Sequence, residues 1–520
     1  MENLSSSSTA STGSISSSTG FFPVAASYAT LLGIVVARLW VMPLRNGFWL
    51  DETQTAWIIQ SGMRDILSRC ITLKQPPGYF LIAGLVFKLG GLNEVVLRMP
   101  SILAMAAATY LLFLLALRLV GREAAWPTAI LFASLNAVAF AAADARPYAI
   151  GMLAVVGAMF LLVRWFDTRH YLAGLGYCML AGLSVYIHYF FVTTLFVHLI
   201  YAIYRARTEK LNDTGWRVAT GLLALLFVPA ALLAPRLLQA SRGYPFTGSP
   251  GIVTFFSILA PPVLLGSALG MFLLFRLMSR DFAFRLPPIG GSALVLLVSW
   301  TVVPCILLFS LSALTNLNFF MPRYLLPFEG GLALLGGWAI SAVGPVRLRL
   351  TVVSVMVMAS LLGTGLHVVP PHAEDWRAAM AAERSIAAQT DMPVLVRNPM
   401  LKGKFNVHAD ENDSPYLFTP LSVYPAAGHV VRLPNELSPT SIAYLEELLP
   451  SLEQRDRFLF VNSGDDSYET WLLGRMSPQG FAKRRAGSFG ELLTVDLFYR
   501  TGIEGSGESN PGQPSGASHR

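Results

Sequence analysis

The chain of 520 residues is 54% hydrophobic and 13% charged, with a mean hydropathy of +0.53, whereas soluble domains are usually about 25% charged. This excludes an ordinary soluble protein, disorder as the main state and, with three cysteines, a disulfide scaffold. The net charge of +7 is unevenly spread: residues 1–370 carry 24 Lys+Arg against 12 Asp+Glu, and residues 371–520 carry 14 against 19. The basicity belongs to the apolar part, where Lys and Arg collect in cytoplasmic loops. A nucleic-acid partner, which would need a basic face on a soluble domain, is therefore excluded. The partner these numbers demand is a lipid bilayer.

Residues 1–20 are a Ser/Thr-rich tail with one acid and no base, which is not a signal-peptide n-region. A spanning helix needs about 20 mainly apolar residues. By that rule spans are expected near 22–42, 100–120, 124–143, 147–166, 170–187, 189–204, 216–235, 252–275, 289–312, 324–343 and 350–369, eleven in all. The stretch from Pro76 to Gly90 is apolar but short, opens on prolines and contains Lys88, so it is placed at the interface within a loop from Pro43 to Met99. With the N-terminus in the cytoplasm, thirteen basic residues fall in inner loops and four (Arg146, Arg236, Arg242, Arg323) in short outer ones. The odd span count then puts residues 371–500 outside, together with the long loop. Strands are expected at 394–398, 428–433, 457–462 and 492–499 and helices at 375–389 and 441–454, a small α/β domain. Residues 501–520, rich in Gly, Ser and Pro, form a second disordered tail. Cys70, Cys178 and Cys305 have no metal-ligand spacing.

Ionisable groups within lipid are costly and mark function, yet these spans hold almost none at mid-depth, Glu329 being the main exception. An ion-coupled transporter would need more, in repeated halves. The polar groups of interest sit at the outer membrane edge. Asp51-Glu52, flanked by Phe48 and Trp49, pairs two carboxylates where partial desolvation would suit a general base, though loop acids can also simply face water. Lys74-Gln75-Pro76-Pro77-Gly78-Tyr79 and Arg98-Met99-Pro100-Ser101 place cations outside, against the trend. They read as a phosphate-binding pair, or as anionic-lipid contacts. Asp144-Ala145-Arg146-Pro147-Tyr148, His188-Tyr189 and Phe320-Met321-Pro322-Arg323-Tyr324 share the same level. Their convergence from distant parts of the chain is the functional signal.

These motifs, in this order, resemble the GT-C superfamily of polyprenyl-phosphate-sugar-dependent glycosyltransferases. The nearer likeness is to the branch of protein O-mannosyltransferases and aminoarabinose lipid A transferases, over roughly residues 20–345. Asp51-Glu52 is similar to the family's Asp-Glu after the first span and QPPGYF to its HPPLYY-like motif. RMPS, DARPYAI and PRYLLP resemble its Arg-Pro-Ser, EARPYAL-like and RYLLP segments. Gln75 stands where His is usual and Asp144 where Glu is. The resemblance implies an α-helical polytopic membrane protein of about eleven spans, GT-C-like, with a long first extracytoplasmic loop and a small C-terminal α/β domain outside.

It further implies inverting sugar transfer from a polyprenyl-phosphate donor to a hydroxyl of an extracytoplasmic acceptor, with Asp51 as base and Glu52 supporting it. Donor phosphate or sugar falls to Lys74, Arg98, Asp144, Arg146, Tyr148, His188, Arg242, Arg323 and Tyr324, Arg242 on no motif. Positive side chains can stabilise a phosphate leaving group without a metal, so no cofactor is expected and a divalent metal is the disfavoured variant. A bacterial inner membrane is the implied setting. The C-terminal domain, opening on His372-Ala373-Glu374-Asp375-Trp376-Arg377, is assigned acceptor recognition or a lid, with a structural cap as the alternative. A flippase for lipid-linked sugars is the rival reading, and a non-catalytic receptor a third.

Overall fold

The computed structural model describes residues 21–209, 214, 217, 221, 249–259, 262–278, 284–315, 317–363, 374–387, 392–397 and 418–502. The expected span at 216–235, apart from residues 217 and 221, and Arg242 lie outside them, as do the N-terminal tail and residues 503–520. The chain forms two compact units. One contains residues 1–42 and 98–370, the other residues 43–97 and 371–520. The composition break near residue 370 is thus a unit boundary. The loop at 43–97, which the sequence assigns to the membrane part, instead shares a unit with the C-terminal domain.

The helical unit is a multi-pass membrane bundle. Among the described residues six helices are long and apolar enough to cross a bilayer: Val24–Arg45, Glu94–Leu119, Tyr148–Thr168, Tyr189–Thr208, Gly291–Thr315 and Val346–Gly363. The expected span 124–143 is a broken pair, Arg122–Ser134 and Asn136–Ala142, bent by 69°, because Leu135 is extended (φ −66°, ψ 133°). Tyr171–Ile187 is apolar but shorter. The 252–275 segment divides into Ile252–Leu259 and Pro262–Met278. The 324–343 segment opens with the short helix Pro322–Leu325 and a 3-10 turn, then continues as Glu329–Ser341. Lipid offers no hydrophobic drive between helices, so close approach of small residues does that work. A β-carbon at Gly337 would lie 2.0 Å from Thr128 Oγ1, and one at Gly331 would meet the Thr301 backbone nitrogen at 2.6 Å. Buried polar groups are spent on backbone carbonyls of neighbouring elements: Trp300 Nε1 donates to the Pro327 carbonyl at 2.7 Å, and Ser360 Oγ to the Ser134 carbonyl at 2.6 Å. Several basic residues of the expected inner loops pair with acids there, Arg118 and Arg205 with Asp167 and Arg169 with Glu209.

The second unit centres on a five-stranded sheet of order β2-β1-β3-β5-β4, with β1 Pro393–Arg397, β2 His429–Leu433, β3 Arg457–Ser463, β4 Phe481–Ser488 and β5 Leu493–Arg500. The strands β2, β1 and β3 are mutually parallel; β5 runs antiparallel to β3, and β4 antiparallel to β5. Successive residues face opposite sides, and both sides are covered. Val394, Val396, Leu459 and Val461 pack with Trp376 and Met380. Leu395, Phe458 and Phe460 pack with Leu445, Tyr468 and Leu472. The same unit holds the loop helices Leu50–Gln60, Ile66–Thr72 and Gly78–Gly90, the last of which is the interfacial stretch read from the sequence. At 13 residues it is short for a span. The strand β4 and the helix Ser467–Met476 were not expected. FAKRRAGS carries no apolar alternation because it is an edge strand with Arg484 and Arg485 exposed.

Candidate active site

Asp51, Glu52 and Lys74 lie in the second unit; Arg98, Asp144, Arg146, Tyr148, His188, Arg323 and Tyr324 lie in the helical one. Each group is built differently.

Asp51 and Glu52 open the helix Leu50–Gln60, where the macrodipole favours negative charge. The adjacent carboxylates have different environments. Glu52 is fully buried and its Oε2 accepts the backbone N–H of the N-cap residue Trp49 at 3.3 Å, the return half of a capping box. Asp51 is half-buried. Behind them stands Glu374, 4% exposed, whose place in the sequence marks it only as part of the segment that opens the C-terminal domain. Its Oε2 accepts from Leu50 N at 3.3 Å and from Trp376 Nε1 at 2.8 Å, and its Oε1 from Ser463 Oγ at 2.5 Å. Burial pushes the Glu374 carboxyl above its ordinary value, and the Asp51 charge adds to that, against the three hydrogen bonds.

Lys74 is exposed and has φ 56°. It is the left-handed C′ residue of the helix Ile66–Thr72. Gln75 N donates to Cys70 O at 2.9 Å and Lys74 N to Ile71 O at 3.1 Å, the Schellman pattern in which glycine is usual. A lysine there costs about 1–2 kcal/mol in backbone conformation.

In the helical unit the remaining motifs do converge. Ser101 Oγ of the RMPS segment donates to the Asp144 carbonyl at 2.6 Å. The His188 ring lies 5.2 Å from that of Tyr148 and 5.5 Å from that of Tyr324. The Arg323 guanidinium sits 5.2 Å from the Tyr324 ring centre, and the charges of Arg146 and Arg323 both reach His188. Arg98, Asp144, Arg146, Tyr148, His188 and Tyr324 are all buried. Two arginines and a buried imidazole are thus gathered beside two tyrosines. Glu329 begins the helix Glu329–Ser341 and is buried. Its Oε2 has no hydrogen-bond partner among the described residues. Among the described residues no three His, Cys, Asp or Glu side chains are grouped as a metal would require.

A family model described as dolichyl-phosphate-mannose-protein mannosyltransferase matches residues 74–233, a segment that includes every site residue from Lys74 to His188 but not Asp51. No curated protein matches the chain. Among solved structures the chain is similar to ArnT from Cupriavidus metallidurans. The apo form is 14% identical over 91% of this chain and 98% of that one, with a TM-score of 0.49. The form bound to undecaprenyl phosphate is 13% identical over 92% and 98%, with a TM-score of 0.50. At that identity the likeness is one of fold. It agrees with the GT-C resemblance carried by the motifs: a helical membrane protein with a small C-terminal sheet domain.

Proposed function

We propose that the protein is an integral-membrane inverting glycosyltransferase that moves a sugar from a polyprenyl-phosphate donor to a hydroxyl on the extracytoplasmic face, Asp51 being the general base. One observation carries the choice of base. Of the two adjacent carboxylates, Glu52 is buried and committed to capping its own helix, whereas Asp51 is partly exposed on the same rigid turn. A base must reach its proton and then release it. The acceptor oxygen gives its proton to Asp51 and bonds to the anomeric carbon. The bond from that carbon to the phosphate oxygen breaks, and the polyprenyl phosphate leaves with the electron pair. Arg146, Arg323 and His188 are suited to the charge that develops on it, with Lys74 as a further cation. The fold likeness to a protein bound to undecaprenyl phosphate supports a polyprenyl carrier, and the motif resemblance a bacterial inner membrane.

The test is sugar transfer by the purified protein in membrane-lipid extract, wild type beside Asp51→Ala. Loss of about 10²–10⁴-fold is expected for removal of a general base. Wild-type sugar transfer in the variant would overturn the assignment of Asp51 as base, and absence of transfer in the wild type would favour a flippase.

A further inference from the structure

The entry to the Asp51 helix is held from outside its own segment. The first N–H groups of a helix have no intrahelical acceptor, and here three consecutive N–H groups, from the residue before the N-cap to the first helical residue, are each met by a side chain. Phe48 N donates to Tyr424 Oη at 3.0 Å, Trp49 N to Glu52 Oε2 at 3.3 Å and Leu50 N to Glu374 Oε2 at 3.3 Å. Two of the three acceptors come from the C-terminal domain. Both are themselves fixed. Glu374 is held by Ser463, at the end of β3, and by the fully buried Trp376, and its neighbour Asp375 N donates to Phe489 O at 2.9 Å. Tyr424 donates to Glu94 Oε1 at 2.9 Å, and Arg377 reaches the same oxygen at 3.1 Å. One turn further along, Thr53 and Thr419 join through their hydroxyls at 3.0 Å, both fully buried. A β-carbon on Gly47 would fall 2.2 Å from Asp375 Oδ1, so the approach to the helix leaves no slack.

We propose that Glu374 and Tyr424 are positioning residues for the reaction, and that the C-terminal domain sets the place of Asp51 by gripping the backbone at Phe48 and Leu50. The proposal rests on the reading of Asp51 as base. Leu50 N is one residue from the Asp51 Cα, so a loosened grip moves the carboxylate, and misplacement by about 1 Å can cost about 10²-fold in rate. The charge of Glu374 is not what the grip needs. A glutamine there keeps an oxygen for Leu50 N and Trp376 Nε1 and turns its amide to Ser463, whose hydroxyl changes from donor to acceptor.

The full-length protein is assayed with Glu374→Ala, Glu374→Gln, Tyr424→Phe and Asp51→Ala, turnover being measured against increasing membrane-lipid extract. Expected are a fall of about 10–100-fold in kcat for Glu374→Ala and Tyr424→Phe, an apparent KM within about two-fold, and rescue in Glu374→Gln to within about three-fold. Amide hydrogen exchange, which does not depend on turnover, should quicken at Leu50 in Glu374→Ala and at Phe48 in Tyr424→Phe. Wild-type kcat in both variants with Asp51→Ala silent would overturn the positioning role alone. So would a rise confined to KM, or a glutamine variant as slow as the alanine. An active Asp51→Ala would remove the base reading, and unchanged exchange at Leu50 and Phe48 would remove the grip. If Glu374→Ala does not fold, Tyr424→Phe, which removes a single hydroxyl, decides.

Discussion

Asp51 and Glu52 are neighbours with the same chemistry and different tasks, and the division follows from the helix geometry. Glu52 occupies the third helical position, where a carboxylate can turn back to the N-cap N–H, and it is buried in doing so. Asp51, one position earlier, stays half-buried. The pair was legible in the sequence, and so was its flank of aromatics. Which carboxylate would be spent on the backbone was not, because that depends on the N-cap dihedral. Lys74 adds a second residue-scale point. It is a motif lysine in a backbone conformation that suits glycine. Local strain of this kind is tolerated at functional positions. Lys74→Gly should therefore raise the thermal midpoint or leave it unchanged, while lowering sugar transfer. Thermal unfolding beside the transfer assay checks this, and a variant that is both less stable and fully active would contradict it.

At the scale of elements, the bundle relies on helices brought together at glycines. The helix Glu329–Ser341 meets Gly291–Thr315 at Gly330 and Gly331 and meets Arg122–Ser134 at Gly336 and Gly337. Gly331 faces backbone, which cannot move aside as a side-chain tip can. Gly331→Val should lower stability by about 1–3 kcal/mol, the usual cost of overpacking, read as a fall in thermal midpoint in detergent with little change at Gly363, which has open space around it. Apolar runs placed these helices in the sequence. The break at Leu135 escaped notice, since hydropathy continues through a bent pair as through a straight helix. In the sheet domain the other four strands are legible as short apolar runs, whereas β4, charged and at the edge, is not.

At the scale of the molecule, the proposed sidedness is carried by the excess of Arg and Lys in the loops assigned to the cytoplasm. Cys70, Cys178 and Cys305 are all buried, so introduced cysteines can report on it with little background. Ser477→Cys, exposed in the sheet domain, should react with a membrane-impermeant maleimide in right-side-out vesicles. Arg347→Cys, exposed at the start of Val346–Gly363, should react only after permeabilisation. The reverse pattern would invert the topology and remove the outer-face reaction with it. The largest departure from the sequence reading is at this scale as well: residues 43–97 form one unit with 371–520, across more than half of the chain.

The sequence by itself determined that this is a membrane protein, where most of its apolar segments run, and which short motifs are the candidates for its chemistry. Those properties follow from transfer free energies and local spacing, which are summed along the chain. The tertiary structure alone decided that the His188, Arg146 and Arg323 motifs meet around one pair of tyrosines. It alone decided that the Asp51 helix is held by Glu374 and Tyr424, 324 and 376 residues from their partners. A hydrogen bond between a backbone N–H and a distant side chain leaves no periodicity to read. It exists only once the fold has brought the two together.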